Sequence, residues 1–208
     1  MKALLRALVL AILLIVLFAA LGLWYVMRSG VSAKDEPGRL EVLAAGGVRN
    51  MAIARRARGM RNPVESSSDV IAEGRAHFAD HCAVCHGNDG SGNTEMGRGM
   101  WPKAPDMRLA RTQDLSDGEL FWIIENGVRF TGMPGWSTGT PEGELASWKL
   151  VHFIRRLPNL TDQEIEEMKS MNPRSPEEIR QETREEEFLK GGRGRPDTPA
   201  HKHPGGHK

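Results

Sequence analysis

Only two cysteines occur in the 208 residues, and they stand in Cys82-Ala83-Val84-Cys85-His86. This spacing limits the chain more than any other feature. Two thiols three positions apart, with a histidine directly behind them, read C-x-x-C-H, the attachment signal for a c-type haem. The thiols add to the two vinyl groups of the porphyrin, and the adjacent imidazole reaches the iron from the same face. A chain that uses them so must wrap itself round a flat, largely apolar plate. Rival readings fit less well. A secreted disulfide framework needs more cysteines, spread more widely. A thioredoxin-like redox pair follows a βα pattern, which is lacking here. A zinc site needs two further ligands at ordinary spacing, and there is no third cysteine. The expectation is one covalent haem c, held through Cys82, Cys85 and His86.

Haem iron has a second axial face. The candidates inside the expected domain are Met96, Met100, Met107, Met133, His77, His81 and His152. Met133 stands in Thr131-Gly132-Met133-Pro134-Gly135-Trp136. Glycine and proline around one methionine fix a tight turn, which can aim a thioether at the iron. A helix lies between His86 and Met133, so the chain has the reach to arrive from the opposite side. Met96 and Met100 follow His86 closely, in a glycine-rich loop. The three histidines read as helix-surface or core residues.

The rest of the chain divides into four parts. Residues 1–30 hold an uncharged run from Ala7 to Met27 behind Lys2 and Arg6, with Trp24 and Tyr25 near its outer end. As a helix this run spans about 30 Å, the thickness of a bilayer core. It is expected to contact membrane lipid through residues 7–27. A cleaved signal is the alternative, with Val31-Ser32-Ala33 as its cutting site, but signal cores are usually shorter. Residues 31–68 form a basic connector. Residues 1–68 carry 10 Lys/Arg against 4 Asp/Glu, so the basic excess lies beside the apolar run and points to a membrane surface rather than nucleic acid. The mixture of apolar and arginine residues from Arg39 to Arg61 suits a helix on anionic headgroups, or an arm packed on the folded domain.

Residues 69–158 make the expected globular unit. Asp69 reads as the cap of a helix to about Cys82, with Ile71, Gly74, Phe78 and Cys82 on one face. Ser116 with Glu119 opens a second helix, and Gly127 closes it. Glu142 to Leu157 reads as the last, burying Leu145, Trp148 and Val151, with Phe153 and Ile154 as further candidates, and ending at Pro158. Strand alternation is absent, so the fold class is all-α. Residues 159–208 form a polar tail. Thr161 with Glu164, and Ser175-Pro176 with Glu178, are helix starts. The end of the tail is expected to be disordered. It carries His201, His203 and His207, a possible second metal site for copper, zinc or nickel.

The stretch from Asp69 to Pro158 resembles the class I cytochrome c family. The likeness rests on C-A-V-C-H-G at 82–87, A-P-D-M at 104–107, E-L-F-W-I-I-E-N-G-V-R-F-T-G-M-P-G-W at 119–136 and the final helix. It implies a small helical fold wrapped round one haem, with Gly74 and Phe78 crossing the last helix near Leu150 and Phe153. It also implies that the Pro105 carbonyl accepts the free ring N–H of His86. With His86 and Met133 on the iron no position stays open, so the expected role is a one-electron carrier and not an enzyme. Its redox partner proteins are not identified by the sequence. The expected place is the inner membrane, crossed once, with the haem domain on the periplasmic side. The alternatives are a haem enzyme or sensor with a labile methionine, and a haem subunit of a larger respiratory complex.

Overall fold

The computed structural model describes residues 2–29 and 36–190. The cleavage site expected at 31–33 and the histidines at 201, 203 and 207 lie outside the described residues. Among the described residues the secondary structure is helical, with no strand. In chain order the helices are α1 (Lys2–Ser29), α2 (Arg39–Arg56), α3 (Ser68–His77), α4 (Ala83–His86), α5 (Glu95–Arg98) and α6 (Ala110–Gln113), then α7 (Asp117–Asn126), α8 (Pro141–Arg156), α9 (Asp162–Lys169) and α10 (Pro176–Leu189). A π-helical segment, Phe78–Cys82, joins α3 to α4, and a 3-10 turn, Leu157–Asn159, follows α8.

The helix starts follow side-chain chemistry. Ser67, not Asp69, caps α3, accepting a bond from the Val70 amide at 3.2 Å. Asp69 sits in the first turn, where its charge suits the helix dipole. Capping boxes open α7 (Ser116 with Glu119), α9 (Thr161 with Glu164) and α10 (Ser175 with Glu178). Gly127, at φ 66°, closes α7 as expected. Thr140 caps α8, with Pro141 in its first turn, so that helix starts one residue before Glu142.

The core forms where α3 and α8 cross, with α7 on the other side of α8. Gly74 removes the side chain that would hold the two helices apart. A Cβ there would lie 2.6 Å from the Lys149 carbonyl oxygen and 3.0 Å from the Phe153 Cβ. Phe78 and Phe153 meet just beyond, with ring centroids 5.2 Å apart and planes tilted by 56°. Both are fully buried, with Leu150, Val151 and Ile154. From α7, Leu120 and Ile124 are buried and Phe121 stacks flat on Trp148 at 3.9 Å. Leu145 is exposed on the outer side of α8, against expectation, whereas Leu150 is buried near the crossing, as the resemblance implies.

The core extends into α9, whose Met168 is fully buried in the same cluster. Arg75 pairs with Glu167 at 3.2 Å and Asn88 bonds Asn172 at 2.8 Å, which fastens that segment. In α10 no residue is buried, and Ile179, Phe188 and Leu189 are exposed. The connector is fastened too. Ile53 and Ala57 are buried, and a Cβ on Gly118 at the start of α7 would meet Met60 and the Ala57 carbonyl. Asn62 donates to the Trp148 carbonyl at 3.1 Å, and the His152 ring bonds the Val64 carbonyl at 2.8 Å. His152 is therefore a structural residue. Helix α1 is long and apolar enough to cross a membrane and is exposed along its length.

Gly74→Ala places its new methyl against backbone, which cannot swing aside. The expected loss is about 1–3 kcal/mol, the usual cost of overpacking, read as a lower urea midpoint at unchanged slope. Gly46→Ala, where a Cβ meets nothing within 4 Å, is the control and should not lower the midpoint.

Candidate haem-attachment site

Cys82, Cys85 and His86 lie on one helical path from α3 through the π-segment into α4. The Ala83 amide bonds the Phe78 carbonyl five residues back, which adds a residue to that turn. Such wide turns are frequent at functional sites. The extra residue resets the helical phase. The sequence puts Gly74, Phe78 and Cys82 on one face. In the structure the buried set after the turn is Phe78, Ala79, Ala83 and His86, and Cys82 and Cys85 are half-buried beside it.

A short helix such as α4 leaves its last carbonyls without partners. The glycine-rich loop that follows supplies them. The Gly92 amide donates to the His86 carbonyl at 2.7 Å, and the Thr94 hydroxyl donates to the Cys85 carbonyl at 3.0 Å. Thr94 Oγ1 in turn accepts from the Gly97 amide at 2.9 Å, capping α5. A Cβ on Gly97 would overlap the Cys85 carbonyl oxygen, and one on Gly92 would overlap the Ala104 carbonyl. Glycine at both places lets the loop lie directly on the end of α4. The Met107 amide donates to the Gly90 carbonyl at 2.8 Å, which holds Pro105 over the same end.

Burial governs the chemistry of these side chains. It pushes the Cys82 thiol up to about 12, with the neighbouring Cys85 adding to the rise. Burial raises the Cys85 thiol as well. Redox-active pairs work with a lowered thiol pKa, so the electrostatics oppose a thioredoxin-like role. The His86 ring is buried, which lowers its pKa and favours the neutral imidazole, while the Pro105 carbonyl beside it pulls the other way. Nδ1 of that ring is buried and has no hydrogen-bond partner in good geometry among the described residues. A buried unpaired nitrogen costs about 1–3 kcal/mol. The ring lies 6.5 Å from Phe78, centroid to centroid.

The turn bearing Met133 is built on the end of α7. Trp136 and Ser137 amides donate to the Ile124 and Glu125 carbonyls at 2.9 and 3.2 Å. The Met133 amide donates to Thr131 Oγ1 at 3.1 Å, and the Thr131 hydroxyl donates to the Val128 carbonyl at 2.7 Å. A Cβ on Gly127 would meet the backbone of Met133, Pro134 and Gly135. Met133 is half-buried, and Phe130 at the tip is exposed with φ 61°. The turn joins the attachment segment through Trp136, whose ring meets His81 edge-on at 5.4 Å. Among the other methionines, Met96 is exposed and Met107 packs on the core. Met100 abuts the turn, its sulfur 2.5 Å from where a Cβ on Gly132 would stand.

Sequence reasoning missed the side chains that hold the loop before α7. Arg155 on α8 donates to the Gln113 carbonyl at 2.7 Å, to the Leu115 carbonyl and to Asp117 at 2.8 Å. Gln113 donates to the Met107 carbonyl at 2.7 Å and the Ile154 carbonyl at 3.0 Å. An isolated Gln or Arg carries no sequence signal for such a role. Thr94 was legible only as one polar residue in a glycine-rich loop.

His77 on α3 offers a pH test. Burial, with the His81 ring adding to it, lowers its pKa from 6.5, and Asp80 opposes them. The unfolded chain takes up this proton at a higher pH than the folded one. Stability is therefore intact above pH 6.5 and falls as pH drops from there through the folded value. His77→Gln should shrink that acid-side loss, measured as urea midpoints on either side of pH 6.5.

Residues 69–154 match the family described as cytochrome c oxidase, cbb3-type, subunit III. The chain is also similar to the cbb3-type cytochrome c oxidase subunit CcoP of Cereibacter sphaeroides, 36% identical over 80 residues. That match covers 38% of this chain and 25% of the relative, so the chain covers a quarter of that protein's length.

Proposed function

We propose, from the premise that residues 69–154 are a c-type cytochrome domain, that this chain is a membrane-tethered one-electron carrier. A single haem c is bonded through Cys82 and Cys85 and ligated by His86 and Met133. The observation that carries this reading is the buried His86 imidazole at the end of C-x-x-C-H, with Nδ1 unpaired and the Pro105 carbonyl beside it. The residues fit the group. A neutral ring has a lone pair for iron, and the Pro105 carbonyl beside it would accept from the remaining N–H once the ring is ligated, orienting the ring and making it more basic. Neutral thiols fit thioether formation better than dithiol redox work.

Haem supplies a one-electron iron couple. The residues of the chain tune and protect it. His86 and Met133 would hold the haem iron and leave no position for a substrate, which suits electron transfer rather than a reaction at the iron. A thioether ligand favours the reduced state and raises the potential. Leu120, Phe121, Ile124 and Trp136 belong to the hydrophobic cluster and support the same direction by lowering the local dielectric. Residues 1–30 serve as anchor and 31–68 as connector. Residues 69–158 carry the haem on the periplasmic side of the membrane, and 159–208 form the tail.

The Cereibacter sphaeroides relative is named as a subunit of a cbb3-type cytochrome c oxidase. By that likeness the redox partners of this chain belong to a respiratory oxidase of that kind, as fellow subunits or as acceptors.

Absorption spectra of the detergent-extracted holoprotein test the ligand set. The expected ferric spectrum is low-spin with the weak far-red band of a sulfur–iron bond. Met133→Ala should abolish that band, and Met100→Ala should leave it. The reverse pattern would make Met100 the ligand, and a high-spin parent would overturn the closed electron-transfer site.

A further inference from the structure

Helix α2 has two apolar faces, and the fold uses one. Ile53, and Ala57 just past the end of the helix, are buried where α2 packs on α7. Leu43, Gly47 and Met51, four apart on another side, are exposed, flanked by Ala44 and Val48. Met51 is 72% exposed, Leu43 71% and Val48 68%. Water alone gives no reason to place large apolar residues in register on a helix that is already docked.

The charge round that face is one-sided. From residue 39 to 61 the chain carries Arg39, Arg49, Arg55, Arg56, Arg58 and Arg61, against Glu41 alone. Among the described residues no ion pair holds any of these six arginines. Arg49 bonds only the amide oxygen of Asn50, at 3.0 Å. Its pKa is lowered by burial first and by the like charge of Arg111 second. The cluster is therefore short of anions. Covalent reach supplies the rest. Nine residues separate the end of α1 from the start of α2, and at about 3.3–3.6 Å per residue they span at most roughly 35 Å. If α1 crosses a bilayer, α2 cannot leave its neighbourhood.

We propose that α2 lies on the bilayer surface, with Leu43, Val48 and Met51 in the headgroup boundary and the surrounding arginines on anionic lipid. This inference rests on the anchored reading of α1. An amphipathic basic helix binds in that plane through apolar burial and attraction to anionic headgroups together. Because Ile53 and Ala57 also fasten α2 to α7, this contact orients the haem domain as well as holding it near. Two fixed attachments narrow the set of haem orientations open to a membrane partner.

Spin labels decide it, on the full-length holoprotein in vesicles of phosphatidylcholine alone or of equal parts phosphatidylcholine and phosphatidylglycerol. Labels are placed through Met51→Cys, Ile15→Cys and Ser170→Cys, and the parent taken through the same labelling gives the background. In the anionic vesicles, collision of the residue-51 label with a water-soluble nickel chelate should fall about threefold or more below that at residue 170, as for a side chain about 5–10 Å into the headgroup boundary. Replacing Arg39, Arg55, Arg56, Arg58 and Arg61 with Gln should release the residue-51 label and leave the residue-15 label protected. A residue-51 label as wet as residue 170 in both vesicles, with residue 15 protected, would overturn the inference and spare the anchor. An exposed residue-15 label would sink the anchor and the inference together. Protection at residue 51 that is equal in both lipids, with spin–spin broadening, would assign the face to a second copy and overturn the lipid contact.

Discussion

Gly74 lets α3 approach α8 until the Lys149 carbonyl and the Phe153 Cβ fill the space a side chain would need. The approach sets the depth at which Phe78 meets Phe153, and Phe78 begins the wide turn that leads into the attachment motif. A shift at Gly74 is therefore passed along a stiff helical path to Cys82, Cys85 and His86. Burial of each large core side chain contributes about 1.5–3 kcal/mol, but the crossing does more than stabilise. It fixes where the motif starts and which way it faces.

The wide turn then decides what faces inward. Without it, Cys82 would continue the inward face of Gly74 and Phe78. With one added residue, Ala79, Ala83 and His86 take that face, and the two cysteines come to its edge. The same arrangement exposes the last carbonyls of α4 to the loop that follows, and the bonds from Gly92 and Thr94 answer that demand. The glycines at 92 and 97 are explained by backbone proximity, since a side chain at either would strike a carbonyl.

Much of this was legible in the sequence, for identifiable reasons. C-x-x-C-H is a local spacing that needs no tertiary context to be read, and the structure sets its His86 ring inside the fold with the two cysteines at the edge. Capping boxes at Ser116, Thr161 and Ser175 are local hydrogen-bond chemistry and stand where they were read. The all-helical class followed from periodicity. What the sequence hid was phase and long-range pairing. An α-helical period carried through 78–82 misplaces Cys82, because nothing in Phe-Ala-Asp-His-Cys announces a wide turn. Leu145 suits the apolar face of α8 by period, and only the positions of α3 and α7 leave it uncovered. The fork of Arg155 and the paired bonds of Gln113 depend on loops far away in sequence, so composition could not reveal them.

Arg155 and the connector show how the domain holds parts that have little core of their own. The stretch from Met107 to Asp117 includes one short helix and buries little apolar surface, yet it leads directly into α7. A guanidinium has five donors in a rigid fork, and from α8 it satisfies carbonyls at Gln113 and Leu115 and the carboxylate of Asp117 together. The connector meets the same helix from another side, through Asn62 on the Trp148 carbonyl and the His152 ring on the Val64 carbonyl. Thus α8 receives α3, the loop before α7, and the connector that leads back to α1. A load on the connector falls on the helix that also fixes the crossing at Gly74. For a haem domain near a membrane, that common support makes orientation and site geometry parts of one mechanical problem.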